Sequence, residues 1–238
     1  MKRSLFILFS LLLFAGSISA QQYRKDEEDD PNSRAQKVGV RIGIGNYWLQ
    51  APEMKKGNPL IGVQGAMYYR IAFGKRFDLN VELGANYKGS KFPINANDTG
   101  QVYSRLGLFY GEMPILGMIS LDKKKQHILM LGPTVSYLIK PSLFIGSTYI
   151  SSYYPTFTTL PLKRLEFAAT LGYMFSSEYI GLYIGYKHGL TNIAGDFANA
   201  NIPRDSGNAA PRTLNDVSPS LSGVKSIFNR SIELSLYF

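Results

Sequence analysis

Between Lys37 and Phe238, apolar and polar residues alternate one by one in segment after segment, and this period of two dictates strands rather than helices. In the first segment Val38, Val40, Ile42 and Ile44 face one way while Gly39, Arg41, Gly43 and Gly45 face the other. A second sets Ile61, Val63, Met67, Tyr69, Ile71 and Phe73 against Gly62, Gln64, Ala66, Tyr68, Arg70 and Ala72. A third opposes Phe77, Leu79, Val81, Leu83, Ala85 and Tyr87 to Asp78, Asn80, Glu82, Gly84, Asn86 and Lys88. The fourth, about Val102 to Leu121, changes parity near Glu112-Met113-Pro114, which predicts a bulge there. Further strands are expected over Ile128 to Ile139, Leu165 to Phe175, Ile180 to Tyr186 and Ile232 to Phe238, making eight.

The connections alternate in length. Short ones fall at 74–77, 122–127 and 176–178, and long polar ones at 50–59, 88–101, 140–163 and 191–223. An even strand count with short turns at one end and long loops at the other is the plan of an outer-membrane barrel. The expected fold is therefore all-β, an eight-stranded antiparallel up-and-down transmembrane β-barrel over 37–238, with both termini periplasmic. A half-buried soluble sheet also alternates, but it gives no reason for the regular change in loop length.

The N-terminal segment supports export. Lys2 and Arg3 precede an apolar run from Leu5 to Phe14, and Ser17-Ile18-Ser19-Ala20 offers small residues before Gln21, as a cleaved signal peptide over 1–20 requires. That run is too short to span a bilayer as a helix. Residues 21–36, with the charge run Arg24-Lys25-Asp26-Glu27-Glu28-Asp29-Asp30, read as a flexible polar periplasmic arm. They lack the turn glycines of a calcium loop.

Composition narrows the chemistry. There is no Cys among the 238 residues, so disulfides, thiolate metal sites and a lipid-anchored cysteine are excluded. The Lys and Arg behind the net charge of +9 are scattered singly or in pairs, with one run of three at Lys123-Lys124-Lys125, which argues against nucleic acid and for attraction to an anionic membrane surface. Gly43-Ile44-Gly45 lies within a strand and is no phosphate loop. No cofactor or metal is expected.

Charges on the polar faces point inward in such a barrel. Arg41, Arg70 and Lys187 against Glu82, Glu166 and Glu233 form a balanced set, and an eight-stranded interior is narrow enough for side chains to fill. These six are the expected interior polar network. Aromatics near the short turns (Phe73, Phe77, Phe175, Tyr179, Phe238) and near the long loops (Tyr47, Trp48, Tyr87, Tyr103, Tyr186) are expected to form two interfacial girdles. Phe238, in phase with Ile232, Leu234 and Leu236, is expected to serve as the assembly signal read by the barrel-assembly machinery. His127 is placed at a short turn and His188 at the long-loop rim, with Thr191 and Asp196 beyond it. Tyr149, Tyr153, Tyr154 and Phe157 in the 140–163 loop suit either surface contact or packing over the mouth.

Some of these residues carry a family resemblance. Tyr110-Gly111-Glu112-Met113-Pro114-Ile115-Leu116 resembles the E-I-P-L-L segment of PorT-type outer-membrane β-barrel proteins of Bacteroidetes, and Gly132-Pro133 with Ser136-Tyr137-Leu138 is similar to their glycine–proline strand. Tyr186-Lys187-His188-Gly189-Leu190-Thr191-Asn192-Ile193 resembles their Y-x-x-G-L-T-N-I rim, and Asn229-Arg230 fits before the closing strand. The closing Ser235-Leu236-Tyr237-Phe238 lacks the glycine that relatives often carry. The resemblance implies an outer-membrane barrel and allows a part in secretion. The expected role is non-enzymatic: a structural, surface-interaction or envelope accessory, whose partners are outer-membrane lipid and envelope or secretion proteins. Two alternatives stand beside it, a narrow porin-like pore for ions or small solutes and a lipid or peptide hydrolase centred on His188.

Overall fold

The computed structural model describes residues 37–51, 58–93, 102–147, 151–154, 162–177, 180–195, 201–202, 212–213 and 224–238. The expected signal peptide and arm lie outside these residues, as do Tyr149, Phe157, Tyr179 and Asp196.

The strands are β1 (Lys37–Gln50), β2 (Asn58–Ala72), β3 (Phe77–Pro93), β4 (Val102–Ser120), β5 (His127–Ser147), β6 (Ser151–Tyr154), β7 (Leu165–Ser176), β8 (Gly181–Gly189), β9 (Asn201–Ile202), β10 (Arg212–Thr213) and β11 (Phe228–Tyr237). Eight of them close an antiparallel barrel in the order β1, β2, β3, β4, β5, β7, β8, β11, with β11 returning to β1. Backbone bonds complete the seam, from Phe238 N to Val40 O at 2.9 Å and from Val40 N to Phe238 O at 3.2 Å. Closure leaves no strand edge exposed to lipid, where an unsatisfied backbone group costs several kcal/mol. β6 adds to the outer part of β5, and β9 pairs with β10.

The alternation maps onto the wall. Ile42, Ile44, Ile61, Val63, Leu83, Leu171, Ile184, Ile232 and Leu234 are exposed on the outside, whereas Arg41, Gln64, Asn80, Glu82, Lys187, Ser231 and Glu233 are buried within. Short turns after β2, β4 and β7 lie at the same end as Lys37 and Phe238; the strand ends that the longer connections join lie at the other.

Four expectations change. First, β4 has no parity slip: Leu106, Leu108, Tyr110, Glu112, Leu116, Met118 and Ser120 are all buried in one unbroken inward phase. Pairing lapses beside Pro114, which has no N–H to give, and resumes in the same register on both flanking strands. The bulge instead sits on β5, where Phe109 faces Lys140, Tyr110 faces Leu138 and Ile139 is the extra residue. Second, the inner face is not uniformly polar, since those leucines and Met118 look inward. Third, the 140–163 segment is not all loop, because β5 runs on to Ser147 and β6 pairs with it; β3 likewise reaches Pro93 rather than stopping at 88. Fourth, Tyr47 leaves the expected girdle. It shares the inward phase of Arg41 and is 2% exposed, while its neighbour Trp48 looks outward.

Inward glycines make room for inward tyrosines. A methyl group on Gly172 or Gly185 would overlap the ring of Tyr183, and one on Gly45 would overlap Tyr47. In a barrel this narrow, a large ring needs a neighbour with no side chain.

Candidate functional site

The inside of the barrel is layered. At the short-turn end Tyr68, Leu116, Met118, Ile128, Met130, Met174, Tyr183 and Tyr237 form an apolar and aromatic floor. The Tyr68 and Tyr237 rings meet at 5.2 Å, tilted by 55°, Tyr183 meets Tyr237 edge-on at 5.9 Å, and the Tyr68 hydroxyl donates to Phe238 O at 3.0 Å. Towards the loop end Tyr47, Leu49, Leu60, Leu106, Leu108 and Leu138 are buried. Between the two lies a belt of charges.

Glu112 on β4 is the hub of the belt. Its Oε1 accepts from Lys88 Nζ at 3.0 Å and Ser136 Oγ at 3.1 Å; its Oε2 accepts from Lys187 Nζ at 2.8 Å and Asn86 Nδ2 at 3.4 Å. Each lysine then reaches a second carboxylate. Lys88 meets Glu166 Oε2 at 3.1 Å and Lys187 meets Glu233 Oε1 at 3.1 Å. The result is a continuous chain, Glu166–Lys88–Glu112–Lys187–Glu233, that crosses the lumen and ties β7, β3, β4, β8 and β11 together. The Lys88 ammonium also lies 4.1 Å from the Tyr110 ring centroid, within cation–π range.

A second cluster sits nearer the floor. Arg41 Nε lies 3.1 Å from Glu82 Oε2, and Arg41 Nη2 donates to Gln64 Oε1 at 3.2 Å. Glu82 Oε1 accepts from Asn80 Nδ2 and from the Tyr237 hydroxyl, both at 2.7 Å. These donors, with the Arg41 guanidinium beside Oε2, offset much of the cost of taking the Glu82 carboxylate out of water.

Of the six residues expected inside, the structure brings Arg41 to Glu82 and Lys187 to Glu233, and gives Glu166 to Lys88. Arg70 stands apart. It is partly exposed at the short-turn end, with its guanidinium carbon 5.7 Å from the Tyr68 ring centroid, and is paired with none of the buried glutamates. Lys88 and Glu112 are the members that sequence reasoning missed. Lys88 shares the inward phase of Glu82, which was a usable signal. Glu112 fell where a bulge was expected, so its face could not be assigned. The belt and the Arg41 cluster together thus hold three cations, Arg41, Lys88 and Lys187, against four carboxylates, Glu82, Glu112, Glu166 and Glu233, while the buried Asp78 pairs with Lys125 at the short-turn end.

The rim residues serve the backbone. Thr191 Oγ1 accepts from Phe167 N at 2.9 Å, and Asn192 Oδ1 accepts from Ala194 N and Ile227 N, each at 2.9 Å. Ile193 and Ile227 are fully covered. His188 is on the outer face, its Nδ1 3.2 Å from the Tyr186 hydroxyl. At the short-turn end, His127 meets the Tyr173 hydroxyl through its ring and donates its backbone N–H to Asp122 Oδ1 at 2.8 Å. Backbone donors, His127 first, then Gln126 and Lys124, hold the exposed Asp122 carboxyl below its ordinary range. Phe238 faces outward and is half-exposed in the aromatic row of this end with Phe73, Phe77 and Phe175.

A closed eight-stranded antiparallel barrel, apolar outside and charged within, defines an integral membrane barrel of the outer-membrane type. Residues 19–195 match the family model described as outer membrane protein beta-barrel domain, and the chain belongs to that family. It is an outer-membrane protein. No curated protein matches it. Among solved structures it is similar to Neisserial surface protein A, at TM-score 0.44 and 8% identity over 85% of this chain and 97% of that one. It is also similar to Ail, the attachment invasion locus protein of Yersinia pestis, at TM-score 0.40 and 10% identity over 85% and 97%. The translocator domain of the autotransporter NalP from Neisseria meningitidis follows, at TM-score 0.29 and 12% identity over 94% and 96%.

Proposed function

We propose that the protein is a non-enzymatic, non-conducting barrel of the PorT type whose sealed interior anchors the long-loop end at the cell surface, as a surface-interaction or envelope accessory. The observation that carries this reading is the belt. Two lysines, each shared between two glutamates, reach across the lumen, and the side chains that form the belt are at most 6% exposed. A conducting path needs mobile or hydrated charges along its length, whereas here an apolar floor lies on one side and buried leucines on the other. The binding capacity is thereby left to the loops and the outer wall.

In this reading the short turns and both chain termini face the periplasm, and Phe238 with the outward face of β11 is the element that the barrel-assembly machinery receives. Secretion or other envelope proteins are the partners, met through the loop end and the extended β5–β6 hairpin. Reconstitution in planar bilayers tests the sealed interior. The expected record shows no steady single-channel steps at moderate voltage. Steady steps that change in size on Glu112→Gln would overturn the plug and restore the pore.

A further inference from the structure

The rim motif splits between the two faces of the wall. Lys187 and Asn229 turn inward to the belt, so their neighbours His188 and Arg230 turn outward. Registers align three outward rows on β1, β11 and β8, each one step nearer the loop end: Ile44, Leu234, Ile184; then Asn46, Ile232, Tyr186; then Trp48, Arg230, His188. Adjacent strands lie about 4.8 Å apart, so the last three side chains occupy a strip about 10 Å wide.

Height matters here. Arg230 stands four residues above Leu234, about 13 Å along the strand and about 10 Å along the membrane normal after tilt. The apolar band of such barrels is about 25 Å tall, which puts the row at its edge, at headgroup level. Trp48 and Tyr186 are packed together there, with ring centroids 6.5 Å apart. Arg230 has its Nε shielded from solvent with no hydrogen-bond acceptor. The carboxylates among the described residues offer no relief, for Glu82, Glu112, Glu166 and Glu233 are inside and Asp78 and Asp122 are at the short-turn end. A cation at a low-dielectric boundary needs a counter-charge.

We infer that Trp48, Arg230 and His188 form a binding site for the phosphate of a lipid headgroup packed against the outer wall. The guanidinium supplies a fork that matches phosphate oxygens, the indole N–H and imidazole add donors on either side, and Ile232, Leu234 and Ile184 below receive the acyl chains. A membrane lipid is the occupant, because the row continues a wall that is apolar beneath it. The inference rests on the proposed orientation, which sets the leaflet.

Trp48 is the single tryptophan of the chain, so its emission reports on the site directly. Full-length protein in detergent micelles is titrated with monophosphoryl lipid A, with the same lipid freed of its phosphate, and with inorganic phosphate. The expected result is a saturable emission shift with the phosphorylated lipid, about tenfold weaker in Arg230→Gln and only partly weakened in Arg230→Lys, which keeps the charge without the fork, with heat-modifiable gel migration unchanged. Equal affinity for the phosphate-free lipid, or for Arg230→Gln, would overturn the site. An equal response to inorganic phosphate would overturn the lipid assignment. The chain has no Cys, so Leu190→Cys labelled on intact cells with an impermeant maleimide reports orientation separately. Failure to label would sink the surface orientation without touching the binding result.

Discussion

The same strands present two surfaces governed by different rules. On the inside, Lys187 of β8 meets Glu112 of β4 and Glu233 of β11 at 2.8 and 3.1 Å, and an apolar or acidic residue there would satisfy neither. On the outside, one residue away, Tyr186 and Ile184 face a solvent that asks only for apolarity. The inner surface is specified pair by pair, the outer one only in the aggregate. The barrel's identity therefore resides in its belt, and its membership of the membrane resides in its wall.

The largest effect should come from breaking the belt. Glu112→Ala leaves two buried ammonium groups short of a carboxylate and should cost about 3–5 kcal/mol, read from unfolding by denaturant in micelles. A loss below about 1 kcal/mol would mean that water or relaxed neighbours replace Glu112, and the inner surface would then be as tolerant as the outer. The complementary test puts a charge where the wall forbids it. Leu234→Arg, at mid-wall between Ile44 and Ile184, should cost about 2–4 kcal/mol in bilayer folding. Little cost there would show that this stretch does not meet hydrocarbon.

The smallest effect lies at the turns, outside both surfaces. The Asp122 carboxyl is held down by backbone donors, so its contribution is present at neutral pH and is lost as acid takes the pH down through its lowered folded value. Asp122→Asn should flatten that part of the acid limb of stability while leaving neutral stability slightly lower. An acid limb identical to that of the parent would assign it to other groups.

The eight barrel strands were legible because lipid imposes apolarity on every second residue, a constraint that needs no knowledge of the partner strand. The belt was only half legible for the converse reason. Which lysine meets which glutamate depends on barrel register, and strands three apart in the circle, such as β3 and β7, leave no trace of each other in local sequence. β4 misled because its inward Leu106, Leu108, Leu116 and Met118 look lipid-facing, so the pattern gave its period but not its phase. Tyr47 and Trp48 show the same limit, since adjacent aromatics are separated only by carrying the phase forward from Arg41. Arg70 was in phase but too near the barrel end to be enclosed.

The lumen-crossing chain from Glu166 to Glu233 has a consequence for how the molecule comes into being. Its links join residues such as Lys187 and Glu112, 75 positions apart, and the Tyr237 hydroxyl reaches Glu82 across 155. Only the Lys88–Glu112 link lies within one hairpin of consecutive strands, β3–β4, so a half-inserted sheet would carry Glu166, Lys187 and Glu233 short of their partners against lipid. The last strand, β11, brings Glu233 to Lys187 and Tyr237 to Glu82, so closure becomes a latch: the curved intermediate still lacks these partners, and the finished cylinder holds them from both sides of the seam.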